Sequence, residues 1–189
     1  MSNLQSPPGP ADDDTMTLDP ESLDEEGFPI APYSEVVSGL FQASTELSPL
    51  QLFTHGFDAV FDLSGRDRGD DLADETYVVH AIDDVPWISE PESIHRLGAQ
   101  VAELVRSGKK VVVNCMSGLN RSGLLVARAL IELGHAPLEA VELVRRARGP
   151  HALSNRQFMR FLVVDCTPRM LAKRRRADPL NGSGSCSSS

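Results

Sequence analysis

Apolar positions change their spacing several times along the chain, and each change marks a predicted element. Continuous apolar or β-branched runs predict strands, because strands covered on both faces lack a polar alternation. Four strands are predicted in this way: 39–43, 57–63, 76–82 and 110–114. Apolar residues at helical spacing predict helices. Five helices are predicted. Three have definite ranges: 49–54, with Ser48 as its N-cap, 122–133 and 137–148. A fourth begins after Ser89 or Ser93 and ends at Gly108, and a fifth begins after Ser154.

Strands that alternate with helices indicate an α/β fold. The pattern predicts a three-layer sandwich with a central, mainly parallel sheet of about four to five strands flanked by helices. A chain of 189 residues is long enough for one domain with a sizeable core. We place this domain at 28–172.

The two ends of the chain differ in composition from this domain. Residues 1–27 hold eight acidic residues and no basic one, and predict a disordered acidic extension. Residues 173–189 begin with a Lys-Arg-Arg-Arg cluster and end in glycine and serine, and predict a basic, then Gly/Ser-rich, disordered tail.

Charge and cysteine content narrow the functional classes. The net charge is −9, which argues against a nucleic-acid groove as the main surface. Three cysteines do not make a disulfide framework in a chain of this size. No apolar run approaches the roughly 20 residues that span a bilayer, and the first 20 residues do not resemble a leader peptide. We therefore expect a cytoplasmic protein with no membrane partner and no stable nucleic-acid partner.

The candidate chemistry lies in residues 111–123, Val-Val-Val-Asn-Cys-Met-Ser-Gly-Leu-Asn-Arg-Ser-Gly. A buried strand ends, a short loop turns at Gly118, and a helix begins. Ligands of open α/β sheets bind beyond the carboxyl ends of the strands. A helix N-terminus adds unpaired N–H groups and a positive dipole end, which together favour a phosphate. The pattern therefore predicts an anion-binding loop.

Within this loop, each residue type suits phosphoryl transfer. Cys115 is predicted to be a nucleophilic thiolate, because a helix N-terminus and a nearby cation stabilise the ionised form. Arg121 supplies a planar fork for two phosphate oxygens, and Ser122 can donate its hydroxyl to the sulfur. The remaining candidate substrate-binding residues are those between them: Met116, Ser117, Gly118, Leu119 and Asn120.

The segment resembles the signature loop of the protein tyrosine phosphatase superfamily, Cys-x5-Arg-Ser/Thr, and the layout is similar to its dual-specificity branch. The resemblance extends over about 39–162 and includes an Asn155-x2-Phe158 pattern. It implies a cysteine-phosphatase fold and a phosphatase domain at 28–172. One departure is Asn114, where the family usually has a histidine that helps to order the loop.

The resemblance also implies a general acid, an aspartate on the loop after the strand at 76–82. Asp84 matches that position best, since it opens an Asp-x-Pro run, and Asp83 is the alternative. The implied reaction passes through a cysteinyl-phosphate and needs no metal or other cofactor. The scattered histidines show no metal-ligand spacing.

Three functions are compatible with the residues. The first is hydrolysis of phosphotyrosine, with phosphoserine and phosphothreonine as further substrates, on a phosphorylated protein partner. The second is an RNA 5′-triphosphatase or phosphatase of the same superfamily, whose substrate requires a basic approach surface. The third is a non-catalytic phosphopeptide-binding module, although such modules usually lose the cysteine or the arginine. The sequence does not indicate an oligomeric state.

Overall fold

The computed structural model describes residues 23–66 and 76–167, which form a five-stranded sheet with helices on both faces. The spatial order of the strands is β1-β2-β5-β3-β4. β1 pairs with β2 antiparallel, and the other three pairings are parallel. The strands are β1 Tyr33–Val37, β2 Leu40–Ala43, β3 Ala59–Asp62, β4 Tyr77–Val79 and β5 Val111–Asn114.

Five helices and a π-helical turn complete the described part of the chain. They are α1 Pro49–Thr54, α2 Pro91–Arg106, α3 Arg121–Leu133, α4 Pro137–Arg148, α5 Arg156–Arg160 and the π-helical turn Phe161–Asp165. Ser48 caps α1 as predicted, and Gly134 ends α3 in the left-handed conformation. None of the helices in residues 23–66 and 76–167 is both long and apolar enough to cross a bilayer.

Two helix starts differ from the prediction. α2 begins at Pro91 behind Glu90, and the Ser93 hydroxyl donates to the Glu90 carboxylate instead of capping the helix. α5 is capped by Asn155, while the hydroxyl of Ser154 donates to Asn120. Serine, asparagine and proline all favour helix starts, so sequence alone does not rank neighbours within one turn.

The sheet packs on both faces because alternate strand residues point to opposite sides. Val111 and Val113 of β5 belong to the larger core, formed with α2, α3, α4 and the C-terminal helical segment. Val112 lies in a smaller core, which is closed by Leu52 of α1 and by Phe57. The predicted mainly parallel sheet between helical layers is thus confirmed.

One strand was not predicted. β1 is an antiparallel edge strand, and of its five residues only Val36 is buried. An edge strand needs no continuous apolar run, so its sequence carries a weak signal.

The ends of the predicted domain lie partly outside the described residues. Residues 23–27, which the prediction assigns to the disordered extension, instead form a turn held by hydrogen bonds of Asp24 with the backbone of Gly27 and Phe28. Residues 1–22 and 168–189, with the basic tail, are not among the described residues, nor is most of the charged loop at 66–75.

The register brings three strand ends to one edge. Ala43 of β2 and Asp62 of β3 both pair with Asn114 of β5. Cys115 directly follows β5, so the predicted nucleophile lies at the carboxyl edge of the sheet, between two neighbouring strands.

Candidate active site

Residues 115–121, here called the Cys115 loop, connect β5 to α3 and are fastened from outside through their carbonyl oxygens. The Gln42 side chain donates from Nε2 to the carbonyl oxygens of Gly118 at 2.9 Å and Leu119 at 3.4 Å. Thr45 donates from its backbone N and from Oγ1 to the carbonyl oxygen of Met116, each over 3.2 Å. Three carbonyl groups are therefore held facing away from the loop centre.

Held carbonyls also fix the direction of the N–H groups. In a trans peptide the N–H of a residue points opposite to the preceding carbonyl. The N–H groups of Ser117, Leu119 and Asn120 therefore point toward the loop centre, and in the part of the chain described they have no hydrogen-bond partner. Converging free N–H groups form a nest of the kind that binds anions.

Cys115 and Ser122 lie at the base of this nest. Cys115 is only 2% exposed, and its Sγ is 3.3 Å from Ser122 Oγ. Ser122 Oγ also accepts a hydrogen bond from Gln42 Nε2 at 3.2 Å. Because Gln42 occupies an acceptor position of the hydroxyl, the hydroxyl hydrogen is free to point at the sulfur.

One nitrogen of the Arg121 guanidinium is bound to backbone carbonyl groups, and another has no partner. Its Nη1 donates to the carbonyl oxygen of Ile82 at 3.2 Å and lies 3.5 Å from that of Leu63. Its Nε is buried and has no hydrogen-bond partner within residues 23–66 and 76–167. A buried unpaired donor is costly, and a phosphate oxygen is the kind of acceptor that pairs with it. Arg121 is thus braced on one side and unpaired on the other.

The two candidate acids differ in their contacts. Asp84 Oδ1 accepts a hydrogen bond from Asn155 Nδ2 at 2.9 Å, and the same nitrogen donates to the carbonyl oxygen of Val85 at 3.0 Å. The Asp83 carboxylate has no hydrogen bond among the described residues and lines a small cavity beside Trp87. Both carboxylates are exposed, and only that of Asp84 is held by a hydrogen bond within the described ranges.

Arg148 lies beneath the Cys115 loop and was not among the predicted site residues. It is 1% exposed, and its Nε donates to the carbonyl oxygen of Gly118 at 3.2 Å. Its Nη1 donates to the carbonyl oxygen of Ala31 at 2.9 Å and to Ser34 Oγ at 3.3 Å. Within the described ranges it forms no ion pair. It joins the loop to the segment that enters β1.

Arg148 places a buried positive charge beneath the Cys115 loop. Burial lowers the pKa of Arg148 to about 10, and the negative charges of Cys115 and Glu46 oppose that shift. The guanidinium remains protonated at neutral pH, so the Cys115 loop has a buried cation behind it as well as Arg121.

Replacing Arg148 by methionine should lower kcat/KM for an aryl phosphate about 10-fold or more, because the loop loses a cation and one brace. The free energy of unfolding should change by no more than about 2 kcal/mol, since removal of a buried charge offsets the unpaired Ala31 carbonyl. Steady-state kinetics and urea unfolding measure the two effects. Arg148→Lys keeps the charge and should retain more activity. Full activity of Arg148→Met would contradict the assigned role.

Gln42 also escaped the sequence interpretation. Gln42 is a fully buried polar residue within a four-residue strand, and a polar residue in an apolar strand is a signal that can be noticed. Asn114, which stands where the family usually has a histidine, is buried, and its Oδ1 has no hydrogen-bond partner within the described ranges. The loop is instead ordered by Gln42, Thr45 and Arg148.

The described residues contain no group of three or more His, Cys, Asp or Glu side chains that could hold a metal ion.

His80 lies 3.4 Å from the Glu90 carboxylate at the edge of the cavity that Asp83 lines.

Taken together, this nucleophile loop and this sheet define a member of the protein tyrosine phosphatase superfamily. Residues 40–165 match the dual specificity phosphatase catalytic domain, and the chain belongs to that family. A comparison with curated proteins gives no match.

Solved structures agree with the fold. A mouse putative dual specificity phosphatase complexed with zinc tungstate is 19% identical with a TM-score of 0.62, covering 76% of this chain and 91% of that one. Human DUSP28 is 19% identical with a TM-score of 0.63, covering 75% and 96%. Tk-PTP in its active form is 27% identical with a TM-score of 0.58, covering 70% and 95%.

Proposed function

We propose that this phosphatase domain hydrolyses phosphate monoesters on proteins, with phosphotyrosine as the main substrate and phosphoserine and phosphothreonine as further substrates. The observation that carries the proposal is the Cys115 loop itself. Its carbonyl groups are bound outward, its free N–H groups point inward, and the unpaired Nε of Arg121 lies beside it.

In the first half of the reaction, the Cys115 thiolate attacks phosphorus opposite the leaving oxygen. The S–P bond forms as the P–O bond to the substrate breaks, and Asp84 gives its proton to the departing oxygen. The nest and the Arg121 fork bind the phosphoryl oxygens and stabilise their charge in the transition state.

In the second half, water attacks the cysteinyl-phosphate. Asp84 takes a proton from the water, the new O–P bond forms, and the P–S bond breaks to release inorganic phosphate. The Ser122 hydroxyl, 3.3 Å from the sulfur, donates to the thiolate as it departs. No step of this cycle calls for a metal or other cofactor.

Residue types near the loop support a protein substrate. The residues between Cys115 and Arg121 are uncharged, which is unfavourable for a lipid headgroup with several phosphates, and the acidic chain is unfavourable for RNA. A structural neighbour, PTPMT1, was solved with PI(5)P, so a phosphoinositide belongs among the control substrates.

A reducing compartment fits the chemistry, because the nucleophile must stay a free thiol. Cys115 and Cys166 are both buried thiols. We therefore propose the cytoplasm as the location.

The test is a comparison of substrates under one set of conditions. Phosphate release is measured from a phosphotyrosine peptide, its phosphoserine counterpart, PI(5)P and an RNA with a 5′-triphosphate. We expect the highest kcat/KM with the phosphotyrosine peptide, and an acid-stable phosphoenzyme on Cys115 after rapid quenching. Faster turnover of RNA would favour the triphosphatase, and tight binding of the peptides without phosphate release would favour a binding module.

A further inference from the structure

The side chain of Asn155 joins α5 to the loop that carries the candidate acid. Its Oδ1 accepts from the backbone N of Gln157 at 3.0 Å and lies 3.4 Å from that of Phe158, so it caps α5. Its Nδ2 donates to Asp84 Oδ1 and to the carbonyl oxygen of Val85. The orientation of the amide is determined, because a flip would place N–H groups against the two backbone N–H groups.

Asn155 is also tied to the Cys115 loop. Its backbone N donates to Asn120 Oδ1 at 3.2 Å, and the neighbouring Ser154 hydroxyl donates to the same oxygen at 3.2 Å. Asn120 is the residue before the first turn of α3. One residue therefore connects the phosphate-binding nest, the start of α5 and the candidate acid.

We propose that Asn155 is the positioning residue of the general acid, holding Asp84 so that Oδ1 is an acceptor and Oδ2 carries the transferred proton. This inference rests on the proposed function, and it selects Asp84 over Asp83. It adds a third fixed element to the site, beside the braced arginine and the outward-held carbonyl groups.

The hydrogen bond favours one oxygen of Asp84 as the site of the proton. Asn155 Nδ2 donates to Oδ1, and the carbonyl oxygen of a protonated carboxyl is a better acceptor than its hydroxyl oxygen. This arrangement places the proton on Oδ2, from which it passes to the leaving oxygen as the P–O bond breaks. Asp84 is exposed at the surface. Without its partner, the carboxyl would sample several rotamers and lose the orientation that proton transfer requires.

The hydrogen bond from Asn155 to Val85 restricts the backbone of the loop that carries Asp84. The carbonyl oxygen of Ile82 accepts from Arg121, and that of Val85 accepts from Asn155. The segment with Asp84 is thus bound on one side to Arg121 and on the other to Asn155, whose backbone N donates to Asn120 of the Cys115 loop. These bonds relate the position of the acid to that of the loop.

Two substitutions of Asn155 remove its hydrogen bond to Asp84 but keep a good N-cap for α5. Serine and aspartate are as good as asparagine at a helix N-cap, but serine is too short to reach Asp84, and aspartate places a second carboxylate against it. We therefore compare Asn155→Ser and Asn155→Asp with the unaltered chain on two substrates. Phenyl phosphate has a poor leaving group that needs protonation, whereas p-nitrophenyl phosphate has a leaving group that departs readily as an anion.

We expect kcat/KM for phenyl phosphate to fall about 10- to 100-fold in both variants, part of the roughly 10²–10⁴-fold that a general acid contributes. For p-nitrophenyl phosphate the fall should stay within about 3-fold, since that reaction draws little on the acid. kcat/KM is the chosen quantity because it reports the first half of the reaction alone. In an Asp84→Asn background, Asn155→Ser should cause no further loss on phenyl phosphate.

An equal loss on both substrates would overturn the inference, because it would indicate general damage to the fold. An additional loss in the Asp84→Asn background would overturn it as well, since Asn155 would then act elsewhere. If the unaltered chain hydrolyses neither ester, the proposed function fails and this inference fails with it. The unaltered chain thus tests the function, and the two variants test the role of Asn155.

Discussion

Replacing Cys115 by serine is expected to lower kcat/KM for an aryl phosphate by at least about 10⁴-fold, as removal of a nucleophile does in other covalent mechanisms. The reason is the state of the attacking atom. A thiolate is a strong nucleophile, whereas a serine hydroxyl keeps its proton at neutral pH. The phosphoenzyme should disappear together with turnover.

Phosphate binding should survive this change, which separates chemistry from binding. The inward N–H groups and Arg121 remain in the Cys115→Ser variant, so inorganic phosphate should still raise its melting temperature. Cys166→Ser is the matched control, because Cys166 is also buried but lies behind the π-helical turn. It should retain turnover at 25 °C. Activity of Cys115→Ser within tenfold of the unaltered chain would refute covalent catalysis by Cys115.

The sequence predicted the parts of the site that are close together along the chain. Cys115 and Arg121 belong to one strand–loop–helix unit, so their spacing and the preceding valine run were enough to indicate an anion-binding loop. The parallel sheet followed from the alternation of strands and helices for the same reason: both patterns are local. The register then places the loop at the carboxyl edge, as the rule for open sheets requires.

The supporting residues could not be predicted, because their partners are distant in sequence. Gln42 binds Gly118 across 76 positions, and Arg148 reaches Ala31 across 117. Arg148 on its own looks like a solvated cation in the last turn of a helix, where the helix dipole favours it. Only the packing of α4 beneath the loop shows that its side chain is buried. The Asn155-x2-Phe158 pattern was noticed, but its contact with Asp84 depends on the fold.

Replacing Gly118 by alanine is expected to lower kcat/KM about 100-fold, the size of effect that a misplacement of about 1 Å produces. Gly118 has φ +66°, and an added Cβ would lie 2.6 Å from the carbonyl carbon and oxygen of Ala43 and 2.7 Å from Nη2 of Arg148. Ala43 is sheet backbone and Arg148 is enclosed, so neither can withdraw. The loop itself must move, and its N–H groups move with it.

Gly108→Ala separates the clash from the strain of a positive φ. Gly108 has φ +82° with nothing within 4 Å of an added Cβ, and it lies before β5, at the opposite edge of the sheet. Each alanine should cost about 1–2 kcal/mol of unfolding free energy through its backbone conformation. At Gly118 alone, overpacking around the added Cβ should lower the free energy of unfolding by about 1–3 kcal/mol more. Urea unfolding and steady-state kinetics test both variants. The Gly108 variant should keep its activity. If the Gly118 variant also keeps its activity, the Cys115 loop does not depend on the close approach of its backbone to Ala43.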